Sequence, residues 1–167
     1  MKLKHMDQDH KDLFVATVLA NWETAINRAT VFFDRCSDAD MHKPIAPGKN
    51  RVIYLLGHLV AVHDRMLPLL GLGERRYAEL DELFLTNPDD GAAAYPPASE
   101  LRSRWAAINK VLTEKLRAWK PEDWLMKHES VSAADFAKEP HRNRLNVVLS
   151  RTGHVGYHQG QLALLKL

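Results

Sequence analysis

The chain has 167 residues, 46% of them hydrophobic and 26% charged, with a formal charge of +2. That length fits one domain over residues 1–167 with a buried core, and the composition is that of an ordinary soluble globular protein. Basic residues are scattered along the sequence, which leaves no electrostatic case for nucleic acid or an anionic membrane surface, and no apolar run approaches the roughly 20 residues needed to span a bilayer.

In chain order, Met1-Lys2-Leu3-Lys4-His5-Met6-Asp7 turns polar and acidic, unlike a secretory signal. Helical periodicity then runs from about Asp9 to Cys36, with Leu13, Phe14, Thr17, Ala20, Ala25, Ile26 and Phe33 as its apolar surface. Cys36 is the single cysteine, which excludes an internal disulfide and fits a reducing cytoplasm. With no histidine beside it, it reads as a packed thiol. The prolines and glycine of residues 41–48 mark a loop. A second helix is expected from Asn50, as N-cap, to about Leu70, stopped by Gly71 and Gly73. It is apolar around most of its circumference, as a central helix is. A short helix is expected from Arg75 to Leu83, then a loop through Asn87-Pro88-Asp89-Asp90-Gly91 and Tyr95-Pro96-Pro97. Ser99 opens a third long helix that ends near Trp119, before Pro121. Residues 121–140 read as a connection with one or two helical turns, and a fourth helix spans about Arg142 to Leu165. Four long helices with a poor strand signal throughout predict an all-α four-helix bundle, a fold that places metal and ligand sites between facing helices.

The fourth helix carries His154 and His158, one turn apart on one face, where both imidazoles can reach one ion. With 9 histidines in the chain, chance alone supplies about 0.5 pairs at this spacing, so the surroundings decide. At about 100° per residue the pair shares a stripe with Val147, Gln161 and Leu165, flanked by Val155 and Leu162. That face looks inward. Arg151 alone contradicts the placement. Two unpartnered histidines stacked on an apolar face are costly to desolvate, and an open catalytic site takes three protein ligands. The second helix offers His58 and His63, about 140° apart around the axis. His58 shares its face with Leu55, Val62 and Leu69 and is the better third ligand; His63, beside Asp64, points elsewhere as a structural or exposed residue. Gly153, Gly156 and Gly160 form a separate smooth stripe on the fourth helix. Each lowers helix propensity by about 1 kcal/mol relative to alanine, so the stripe reads as a tight contact with the first helix or with a second subunit.

The segments Pro47-Gly48-Lys49-Asn50-Arg51 and Leu56-Gly57-His58-Leu59, with His154-Val155-Gly156-Tyr157-His158-Gln159-Gly160-Gln161-Leu162, resemble the DinB-like superfamily. That group includes YfiT-type bacillithiol transferases and mycothiol-dependent maleylpyruvate isomerases. The resemblance implies an up-down-down-up bundle, frequent homodimers, and a divalent metal, zinc or nickel, held by His58, His154 and His158. Most members have no established activity. The long connections at residues 73–97 and 121–140 depart from a compact member and are expected to cover the metal end and shape a pocket.

Three neutral imidazoles leave a coordination position open. Such a position suits activation of a water, for hydrolysis, or of a low-molecular-weight thiol, for transfer to an electrophilic small-molecule substrate. The resemblance favours the thiol. Supporting groups are expected at Gln161 and at Asn50 or Arg51, and Arg51 and Arg65 are candidates for an anionic substrate group; no residue is assigned as catalytic. A di-iron carboxylate bundle needs Glu-x-x-His motifs, and no glutamate here has a histidine three residues later. A helical metalloprotease needs His-Glu-x-x-His, and His128-Glu129 meets Ser132 in the fifth position. The remaining rival is a bundle that a metal stabilises, or that senses metal, without chemistry.

Overall fold

The fold is taken from a computed structural model, which describes residues 8–165. The polar N-terminal segment, residues 1–7, lies outside the described residues. Among the described residues there are eight α-helices: α1 Gln8–Arg35, α2 Asp38–Met41, α3 Val52–Asp64, α4 Met66–Leu69, α5 Ala98–Arg117, α6 Pro121–Trp124, α7 Ala133–Lys138 and α8 Arg144–Leu162. A single π-helical turn, Glu82–Thr86, precedes α5. Among the described residues there is no strand, only isolated bridges at Pro44–Arg51 and Lys127–Asn143.

Cross-helix hydrogen bonds fix how the long helices run. The Trp22 indole donates to Thr113 and the Trp105 indole donates to Thr30, so α1 and α5 are antiparallel. Gln159 donates to the Ala25 carbonyl, and a gap lined by Asn21 and Arg28 on one side and Leu149 and Gln159 on the other sets α1 and α8 parallel. α3 starts after the loop that leaves the C-terminal end of α1, and His63 near its own end stacks on Trp22 back along α1 and bonds Asn109 of α5, so α3 opposes α1 and runs the same way as α5. The directions are up, down, down, up, in an all-α chain.

The expected second helix is two. Pro68 has no N–H, and its ring crowds the carbonyl of Asp64 four residues earlier; the helix breaks at Arg65, between α3 and α4. Gly71, at φ +68°, then closes it in a Schellman turn, with Leu72 N donating to Leu67 O and Gly71 N to Pro68 O. At the other end Arg51, not Asn50, holds the cap position. Its orphan N–H groups are met from outside: Arg51 N donates to the Asp89 carboxylate and Val52 N to the Lys43 carbonyl. The stretch Val52–Leu69 is 78% buried inside the protein, the setting of a core helix.

The short helix expected from Arg75 to Leu83 forms only in its last part, as a helical turn over residues 80–86. Asp64, fully buried, accepts from the Arg76 and Tyr77 backbone N–H groups and from the Arg75 guanidinium, which commits that backbone to the carboxylate instead of to helical bonds. The third long helix begins one residue before Ser99, with Pro97 in the cap position. Residues 121–140 hold two short helices, α6 and α7, and α8 opens on Asn143, whose side chain accepts from Asn146 N.

The glycine stripe of α8 does not pack tightly on α1. A Cβ built on Gly153, Gly156 or Gly160 would meet nothing within 4 Å, and Gly153 and Gly156 border the open gap between the two helices. Close approach occurs at Gly57 instead, where a Cβ would overlap the Phe84 ring.

Candidate metal centre

His58 sits in the second turn of α3, and His154 and His158 on successive turns of α8. The two helices face each other, so the three imidazoles converge. His58 Nε2 lies 3.3 Å from His154 Nε2, and His158 Nε2 lies 2.9 Å from the same atom. One ring nitrogen from each lies within 4.8 Å of the others. Two imidazole nitrogens on one tetrahedral zinc stand about 3.3 Å apart, so the spacing is that of a metal's donor set.

Hydrogen bonds behind the rings decide which nitrogen carries the proton. The π-turn brings the Phe84 carbonyl 2.9 Å from His58 Nδ1, and a carbonyl can only accept. His158 Nδ1 donates to Gln161 Oε1 at 2.7 Å, while the Gln161 amide nitrogen donates to the Tyr157 hydroxyl. Both Nε2 atoms therefore present lone pairs to the shared point. His154 lacks this support: its Nδ1 is buried with no partner. Tyr54, one turn before His58, stacks on its ring at 6.2 Å and 14°.

Burial keeps all three rings neutral. It is the largest influence holding His58 and His158 below the usual imidazole value, against the Phe84 and Gln161 bonds that favour the proton. His154 falls to about 4, by burial first and then by His158, His58 and Arg151. Neutral imidazole is the metal-binding form. The cluster could hold a divalent metal ion, with His58 and His154 half-buried and His158 buried.

The family model for the DinB superfamily matches residues 21–162. The chain belongs to the DinB superfamily. No curated protein matches it.

In this DinB superfamily chain the other expected site residues take different positions. Gln161 bonds His158, as described. Arg51 is held by Asp89, with Nε and Nη2 each within 3.0 Å of one carboxylate oxygen, and it lies over the Tyr95 ring. Arg65 is exposed and paired with Asp81. Both expected anion sites are thus occupied by carboxylates of the 73–97 connection, which the linear sequence does not place beside them. The Asn50 carbonyl accepts from Ile45 N in the preceding loop. His63 is structural: fully buried between Trp22 and Trp105, it donates from Nδ1 to Asn109. Cys36 is packed, its thiol donating to the Phe32 carbonyl and pushed up by burial.

One contributor is not named by the sequence reading. Phe84 acts through its backbone carbonyl, which no side-chain motif reports. Gly57, immediately before His58, was the available signal: a glycine inside an apolar helix marks a close approach. Of the two long connections, 73–97 reaches α3 at His58 through the π-turn, whereas 121–140 bonds to the end of α4 and the start of α8, away from the histidine cluster's own turns.

Proposed function

We propose that this chain is a divalent-metal-dependent enzyme that transfers a small thiol to an electrophilic substrate. The observation that carries the reading is the convergence of three neutral imidazoles whose outer nitrogens are fixed by the Phe84 carbonyl and Gln161. When bound there, zinc or nickel would supply a Lewis acid with an open position for a thiol or a substrate oxygen. The chain's own part is to hold the ring orientations, keep the donors unprotonated at neutral pH and leave one side of the centre open. A structural zinc site closes its sphere with a fourth protein ligand; among the described residues the cluster has three.

A homodimer in the cytoplasm completes the proposal. The α8 surface at Gly153, Gly156 and Gly160, free of close neighbours within the chain, lies near the exposed apolar residues Leu149, Tyr157 and Leu164. That surface is the one offered to a second copy.

The test is a turnover screen of zinc- and nickel-loaded protein with bacillithiol, mycothiol and glutathione against alkyl halides, epoxides and cis-dienoic acids. Thiol consumption that requires the metal supports the reading. Turnover of esters or amides with no thiol turnover overturns it in favour of hydrolysis, and no turnover in either panel overturns it in favour of a metal-stabilised bundle.

A further inference from the structure

Arg151 is a charge that the fold leaves unanswered. It lies one turn before His154 on α8, half-buried, and its Nε is buried with no hydrogen-bond partner. Burial is the sole influence on its guanidinium, with no carboxylate acting on it. The neighbouring arginines differ. Arg51 is held by Asp89 and Arg65 and Arg75 by Asp81, while Arg144, whose Nε is also buried without a partner, lies over Trp119 with the Glu129 carboxylate 3.8 Å from its Nη2. Partial burial strips some of the water from its guanidinium, and no carboxylate compensates for that loss. A ligand of opposite charge would remove that penalty.

The surroundings form a site for one. Arg151 lines a cavity of about 310 Å³ with Leu69, His128, Ser130, Asn146 and Ser150. On α8, Val147, Ser150, Arg151, His154 and His158 share one face at 100° per residue, so the cavity lies on the histidine side of the helix, ending one turn before His154. Arg151 is near enough to oppose protonation of His58, His63 and His154.

We propose that Arg151 binds the carboxylate of a small substrate in this cavity and directs the rest of that molecule toward the three histidines. A planar guanidinium offers two parallel N–H groups that match a carboxylate. The lining has one permanent cation, with neutral hydrogen-bonding groups around it, which answers a single negative charge and not a phosphate dianion. The proposal depends on the metal-dependent reading for what the bound molecule meets, but not for the binding itself.

The experiment measures binding of butyrate, butyramide and inorganic phosphate by ligand-observed NMR. It uses metal-free wild type, Arg151→Met and Arg151→Lys. Metal-free protein removes direct coordination of the carboxylate and keeps the readout independent of whether the centre is catalytic. Wild type should prefer butyrate over butyramide, and Arg151→Met should lose butyrate affinity by at least about tenfold. Arg151→Lys, which keeps the charge but not the planar fork, should fall between the two and serves alone if Arg151→Met fails to fold. Equal binding of butyrate and butyramide, no binding of butyrate, wild-type affinity in the variants, or preference for phosphate would each overturn the assignment.

Discussion

Replacing Gly57 with alanine should reverse the usual effect of that substitution. In a helix interior, alanine is favoured over glycine by about 1 kcal/mol. Here the new methyl would overlap the Phe84 ring, which is fully buried. Overpacking of this kind costs about 1–3 kcal/mol, so the net change is a destabilisation of about 0–2 kcal/mol. The second consequence is chemical. Phe84 supplies the carbonyl that orients His58, and loss of such an outer partner lowers metal affinity about 10–100-fold. Urea unfolding of the metal-free protein reads the first effect, and competition titration with zinc reads the second. Gly156→Ala is the control, because nothing lies within 4 Å of its Cβ: a monomer should gain up to about 1 kcal/mol, and a loss would reveal a second copy on that face. A Gly57→Ala protein that is more stable than wild type and binds zinc as well would refute the reasoning.

Gln161→Leu should keep the fold, since Gln161 bonds only at the edge of the cluster, but should weaken zinc binding by about 10–100-fold because His158 Nδ1–H loses its acceptor; unchanged affinity in the competition titration would contradict this. Acid should destabilise the metal-free protein in a defined window. Burial holds His63 at about 3 and His154 at about 4, both below the ordinary 6.5. The unfolded chain therefore binds protons first as pH falls. The stability tied to these neutral rings is whole above about pH 6.5 and is lost progressively toward pH 4 and then 3. His63, fully buried, sets a limiting slope of about 1.4 kcal/mol per pH unit. His63→Phe should flatten that limb in urea melts across the window, and an unchanged slope would sink the assignment.

Much of the scaffold was legible because long amphipathic helices report themselves locally. The first helix ends one residue before Cys36, and the last contains the histidine pair as expected. His58 was identifiable because it shares a stripe with large aliphatic residues. The remainder depended on contacts between segments distant in sequence. Arg51 and Arg65 lie near His58 by helical angle, yet Asp89 and Asp81 claim them from a connection whose path depends on tertiary bonds. Asp64, a charge next to a buried histidine, organises residues 75–77 and so prevents the helix that their composition suggests. The α8 glycines share a spacing with tight helix contacts, but spacing does not say which helix stands opposite. Arg151, the one residue that broke the inward pattern of its face, turned out to mark a cavity.

The central claim is that His58, His154 and His158 together hold one metal ion. Its most direct test is the zinc and nickel content and affinity of protein purified without a polyhistidine tag, compared with His58→Ala, His154→Ala and His158→Ala. The account predicts about one ion per chain in wild type and a loss of affinity of at least about 100-fold in each variant, with helical content retained. Full metal content in all three variants, or a wild-type chain that binds neither ion, would contradict it.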